Sequence, residues 1–157
     1  MTTQAATASS LVKGLNHTSY TVYDLDRILG FLTEGLGFHL IDKSPRDPVS
    51  MSQITGVKDA HVITAFVQAP GHRIELINYQ NRDDRVYHNI SPSHAGFSHL
   101  AFDVTDIDEV VEVARRFKFE PVHEPLPVSA GPNVGSYCAY LRDPEGLTVE
   151  VIGPRVR

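Results

Sequence analysis

The chain has 157 residues, 41% of them hydrophobic and 21% charged, which is enough apolar matter for one compact core or two small fused halves. The formal net charge is -5 and the 14 Lys and Arg residues are scattered, which argues against nucleic acid or an anionic membrane as a partner. The single cysteine, Cys138, excludes an intrachain disulfide and fits a reducing, cytoplasmic setting, and no apolar run is long enough to span a bilayer.

Residues 1–13 are small and polar, without the charged-then-apolar order of a signal peptide, and read as a disordered tail. Residues 14–23 alternate as a strand does. Asp24 then stands where a helix N-cap belongs, its carboxylate ready to accept free N–H groups of the first turn. Leu25, Ile28, Leu29 and Leu32 give that helix its apolar stripe. Gly35 and Gly37 end it and lead into a strand over residues 38–42. Residues 61–68 and 73–79 form a hairpin turning through Ala69, Pro70 and Gly71. Residues 80–95 are polar and read as a linker. The order then recurs: a strand over residues 96–105, an N-cap at Asp106, and a helix striped by Ile107, Val110, Val111 and Ala114. A Pro- and Gly-rich loop over residues 127–135 follows, either a substrate cover or a plain connection. The last hairpin, residues 136–142 and 147–152, turns through Asp143, Pro144, Glu145 and Gly146.

This recurrence is an internal repeat. Residues 15–26 (LNHTSYTVYDLD) match 97–108 (FSHLAFDVTDID) at an offset of 82, aligning His17 with His99, Val22 with Val104 and Asp24 with Asp106. Residues 71–77 (GHRIELI) match 146–152 (GLTVEVI) at an offset of 75, aligning Glu75 with Glu150. A longer connection in the first half, around residues 44–60, absorbs the difference. The expected fold is α+β: two βαβββ modules in tandem, residues 14–79 and 96–157, forming a cupped eight-stranded mixed sheet.

Strand alternation then places four polar side chains. Ile74 and Leu76, like Val149 and Val151, belong beneath a helix, so Glu75 and Glu150 face the opposite, concave side together with His17 and His99. A carboxylate among such apolar neighbours is costly to bury unless it is paired or bound to a cation. Singly, each of these residues has a plainer role, a hydrogen-bonded core histidine or a solvated edge glutamate. Four of them generated together by a repeat indicate an N₂O₂ site for one divalent ion, Ni, Co, Fe, Mn or Zn, whose charge the two carboxylates cancel.

The motifs LNHTSYTVYDLD, HRIELINY, FSHLAFDVTDID and YLRDPEGLTVEVIGP resemble the vicinal oxygen chelate superfamily, which includes glyoxalase I, methylmalonyl-CoA epimerase, extradiol dioxygenases and antibiotic-resistance proteins. The likeness runs from about Leu15 to Pro154 and implies a glyoxalase-like fold. The family's metal positions fall on His17, Glu75, His99 and Glu150, in an order resembling bacterial-type glyoxalase I. The epimerase usually carries Gln where Glu75 stands, and extradiol dioxygenases use three ligands. The resemblance implies a small-molecule substrate chelating the metal through two adjacent oxygens. A carboxylate, Glu150 first and Glu75 second, removes a C–H proton and an enediolate is stabilised. Tyr140 matches a tyrosine that binds a substrate hydroxyl in ring-cleaving dioxygenases, and equally suits an aromatic filling the barrel wall. Family members often form homodimers, and whether one chain or two build the site stays open. Three functions follow: a metal-dependent isomerase or lyase, an Fe(II)-dependent dioxygenase acting on a catechol-like substrate, or a non-catalytic drug- or metabolite-binding protein.

Overall fold

The computed structural model describes residues 11–80, 82–87 and 90–156, so most of the expected N-terminal tail lies outside the described residues. The first half contains β1 (Thr18–Thr21), α1 (Leu25–Gly30), β2 (His39–Pro45), α2 (Pro48–Thr55), β3 (Val62–Ala69) and β4 (His72–Tyr79). The second contains β5 (Leu100–Asp103), α3 (Ile107–Arg116), β6 (Glu120–Pro121), β7 (Leu126–Pro127), β8 (Tyr137–Arg142) and β9 (Thr148–Gly153). Among the described residues no helix is long and apolar enough to cross a membrane.

Each half forms a mixed sheet with the same order. The first runs β1-β4-β3-β2 and the second β5-β9-β8, with both β6 and β7 on the outer edge of β8. The first strand of each half pairs parallel with the last, and the other pairs are antiparallel. The eight expected strand places are thus filled, the outermost by two short pieces. Pro121, Pro125 and Pro127 explain the break, since proline supplies no ladder donor and belongs at sheet edges.

The predicted caps form. The Asp24 carboxylate accepts from the Arg27 backbone N–H at 3.1 Å, and that of Asp106 from Asp108 N–H at 3.1 Å. α1 widens into a π-helical turn over Phe31–Gly35, closed by Leu36 N–H donating to Phe31 O at 2.9 Å. The extra length of the first half is α2, begun by Asp47, whose carboxylate accepts from Ser50 N–H at 2.8 Å, and ended by left-handed Gly56.

The apolar faces of both sheets share one core. Ala65, Val67, Ile74 and Leu76 from the first sheet meet Ala139, Leu141, Val149 and Val151 from the second, with Ile28, Phe31, Ile107 and Phe119 between them. Phe31 and Phe119 stack at 4.3 Å between centroids. At the end of β9 the chain passes so near Val104 that a Cβ on Gly153 would lie 2.3 Å from its carbonyl oxygen, so only glycine fits.

Polar contacts also join the halves. Arg27 Nη2 on α1 donates to Asp143 Oδ2 at 2.9 Å and to Glu145 Oε1 at 2.6 Å, both in the last hairpin turn. Its Nη1 donates to Phe117 O at 3.2 Å. The Glu145 carboxylate in turn accepts from Tyr23 N–H at 2.6 Å and Asp24 N–H at 3.0 Å. The Asp143 side chain is fully buried, and those of Arg27 and Glu145 are about nine-tenths buried. Removing one partner of such a set leaves uncompensated buried charge. Arg27→Met is therefore expected to lower unfolding free energy by about 3–5 kcal/mol in denaturant titrations. Asp26→Ala, which removes an exposed carboxylate on the same helix, changes it by less than ~1 kcal/mol.

Candidate metal centre

Alternation along the strands builds the site. In the first sheet Glu75 stands opposite Ser19 of β1 and Phe66 of β3. His17 lies two residues before Ser19 on the same face, and its Nε2 is 3.3 Å from Glu75 Oε2. Its Nδ1 meets Asn16 Oδ1 at 2.8 Å, and the Phe66 ring stands edge-on to the imidazole at 5.5 Å. In the second sheet Glu150 stands opposite Ala101 and Tyr140. His99 lies two residues before Ala101, and its Nε2 is 3.0 Å from Glu150 Oε2. The Tyr140 ring lies 4.9 Å from that imidazole. Each half thus presents a His–Glu pair backed by aromatic rings, Phe66 in the first and Tyr140 and Phe97 in the second.

Both pairs remain open to ligands while their acids are largely sheltered. Side-chain exposure is 34% for His17 and 14% for Glu75, and 29% for His99 and 20% for Glu150. Each pair offers an imidazole nitrogen and a carboxylate oxygen, donors that suit a borderline divalent ion. One chain does not gather the four together. Among the described residues no three His, Cys, Asp or Glu side chains lie close enough to share an ion. The cause is the common core: each sheet buries its apolar face there, so the two ligand faces turn away from it and from each other.

Tyr140 is held protonated. Burial raises its phenol pKa above the ordinary value, and the charges of Glu150 and Cys138 add to the rise.

Motif spacing did not indicate a further polar cluster beside the first pair. Arg46, just past β2, donates from Nε to Thr64 Oγ1 at 2.6 Å, from Nη1 to Ser44 Oγ at 2.9 Å and from Nη2 to Asp42 Oδ2 at 2.5 Å. Its guanidinium also sits 5.9 Å from the Phe66 ring centre. The hydrogen bonds from Ser44 and Arg46 lower the Asp42 pKa. The alternation of Asp42, Ser44 and Thr64 on that face was the available signal. The loop over residues 127–135 folds on itself, with Ser136 N–H donating to Asn133 O at 3.1 Å and Val128 N–H to Ser136 O at 2.9 Å.

Residues 14–151 match the family described as the Glyoxalase/Bleomycin resistance protein/Dioxygenase superfamily. The chain is 30% identical to a lactoylglutathione lyase of Pseudomonas putida, over 88% of this chain and 84% of that protein. It is 27% identical to a 2-epi-5-epi-valiolone epimerase of Actinomyces sp, over 88% of this chain and 78% of that one. It spans less than half the length of the plant relatives it matches. Among solved structures, a glyoxalase family protein from Bacillus cereus superposes with a TM-score of 0.78 at 25% identity, covering 96% of this chain and all of that one.

The raised Tyr140 pKa has a direct readout. In spectrophotometric titration, Tyr140→Phe is expected to remove one phenol from those ionising above pH ~10.

Proposed function

The chain belongs to the glyoxalase/bleomycin resistance protein/dioxygenase superfamily, and from that premise we propose that it is a metal-dependent isomerase or lyase whose site is shared between two copies. The observation that carries this is the presence of two matching His–Glu pairs on outward faces of one chain, each with half the donors an ion needs. His17 and Glu75 of one chain would hold the ion together with His99 and Glu150 of a second. A two-fold homodimer makes two such sites at once. When bound, the ion supplies Lewis-acid polarisation to two neighbouring oxygens of a small substrate.

The chain's own groups do the rest. Glu150 removes a proton from the carbon beside the substrate carbonyl, and Glu75 is the alternative acceptor. Tyr140, kept as a donor, gives a hydrogen bond to the oxygen on which enediolate charge develops. Delivering a proton to the opposite face of the same carbon gives an epimer; delivering it to the neighbouring carbon gives an isomer. The Phe66 ring stands edge-on against the His17 imidazole.

Proton abstraction is tested by solvent exchange. Incubation in deuterium oxide with dicarbonyl, hydroxycarbonyl or acyl-thioester substrates is expected to label the carbon next to the carbonyl, and Glu150→Gln slows that labelling by about 10²–10⁴-fold. Absence of exchange with every member of the panel would sink the isomerase reading. The position of Tyr140 against His99 keeps a second reading, ring cleavage of a catechol-like substrate with ferrous iron, which oxygen uptake would reveal.

The shared site has its own test. A chain lacking His17 and Glu75 is mixed, after unfolding and refolding, with one lacking His99 and Glu150. Neither alone holds metal tightly; random pairing restores about a quarter of the sites, because each mixed dimer has one complete site. No recovery on mixing overturns the shared arrangement.

A further inference from the structure

We propose that Arg142 reads a carboxylate on the substrate, remote from the oxygens that meet the His–Glu centre; this deepens the function proposed above and rests on it. β8 puts Tyr140 and Arg142 on one face, opposite Glu150 and Thr148 of β9. The guanidinium therefore belongs to the row next to the Tyr140–Glu150 row, about 7 Å along the strand. Its Nε donates to Thr148 Oγ1 at 3.3 Å. Its Nη2 is buried and has no acceptor among the described residues, although Arg142 as a whole is only half-buried. A cationic donor without an acceptor is a costly arrangement in a folded chain. The acid facing it in register, Glu120 of β6, turns instead to Arg115, 3.4 Å away.

The first module fills the equivalent row with Gln68 and Arg73, and Arg73 Nε donates to Asn16 O at 3.2 Å. Gln68 holds the place that Arg142 holds in the second module, since Phe66 pairs with Glu75 as Tyr140 pairs with Glu150. Gln68 Nε2 donates to Ala69 O at 2.7 Å and His72 O at 3.0 Å. Arg46, the arginine beside the first pair, has Nε, Nη1 and Nη2 all engaged by Thr64, Ser44 and Asp42. Gln68 and Arg46 are satisfied within their own module, whereas Arg142 keeps a buried donor without an acceptor among the described residues. A carboxylate fits it because its two oxygens match paired guanidinium N–H groups. The substrate class is thus a compound with adjacent oxygens at one end and a carboxylate at the other.

Two probes of equal length separate the ends: 2-oxoadipate has the second carboxylate and 2-oxohexanoate lacks it. Cobalt-loaded protein is titrated with each, following the visible bands of the ion. Wild type is expected to prefer 2-oxoadipate by about tenfold or more. Arg142→Met abolishes that preference and leaves 2-oxohexanoate affinity within about twofold. Arg142→Lys, which keeps the charge and loses the paired donors, retains only part of it. Equal affinity of the wild type for both acids, or a preference that survives Arg142→Met, overturns the assignment. Failure to take up cobalt counts against the metal reading alone. Arg142 is then decided by calorimetry of adipate with metal-free protein. Binding that weakens about tenfold or more in Arg142→Met supports the role; no binding, or equal binding, refutes it.

Discussion

One buried guanidinium governs how the two modules meet. Arg27 leaves α1 and enters the last hairpin turn, where Asp143 and Glu145 receive it, and Glu145 reaches back to the backbone N–H groups of Tyr23 and Asp24. The end of the first strand, the start of the first helix and the final turn are thereby tied by charge-assisted bonds out of water. A hinge motion folding one sheet onto the other would have to break them and leave charge buried. These bonds add to the shared apolar core in holding the helical sides of the halves together, and that core turns each His–Glu pair outward.

That orientation gives the proposed dimer its physical basis. A carboxylate on an apolar strand tolerates partial burial when an imidazole meets it, and each half meets this need once. An ion asks for more donors than one pair supplies. With a rigid junction, the missing donors come more readily from a second chain than from the other half of the same one. In the proposed dimer, a two-fold axis would bring each His17–Glu75 pair to a His99–Glu150 pair without either module changing shape.

Much of the architecture was legible because duplication wrote it twice. The two offsets in the repeat fixed the strand places, the caps at Asp24 and Asp106, and the sheet faces that carry Glu75 and Glu150. Those are consequences of period and register, which a sequence displays directly. What stayed hidden has no period. Arg27, Asp143 and Glu145 are far apart in the chain and read as a helix surface and a turn. The prolines that divide the outer edge into β6 and β7 were visible, yet their effect depended on which edge they would occupy. The separation of the two pairs was also invisible, because alternation gives the face of a strand and not the angle between two sheets.

The duplicated halves differ where chemistry needs a direction. The ligand row is the same in both, His with Glu, as a shared ion requires. The residue opposite each glutamate has diverged: Phe66 on one side carries no polar group, while Tyr140 on the other carries a phenol whose pKa burial raises. Two substrate oxygens held between such walls are not equivalent, for one meets a donor and the other an aromatic edge. The next row diverges in the same sense, with Gln68 bonded to its own turn and Arg142 keeping a donor without an acceptor among the described residues. On the proposed reading, a symmetric pair of modules becomes a polar site through changes one and two side-chain rows deep, with the strands, caps and junction untouched. A substrate bound there has one orientation, and a proton taken from it has one preferred face.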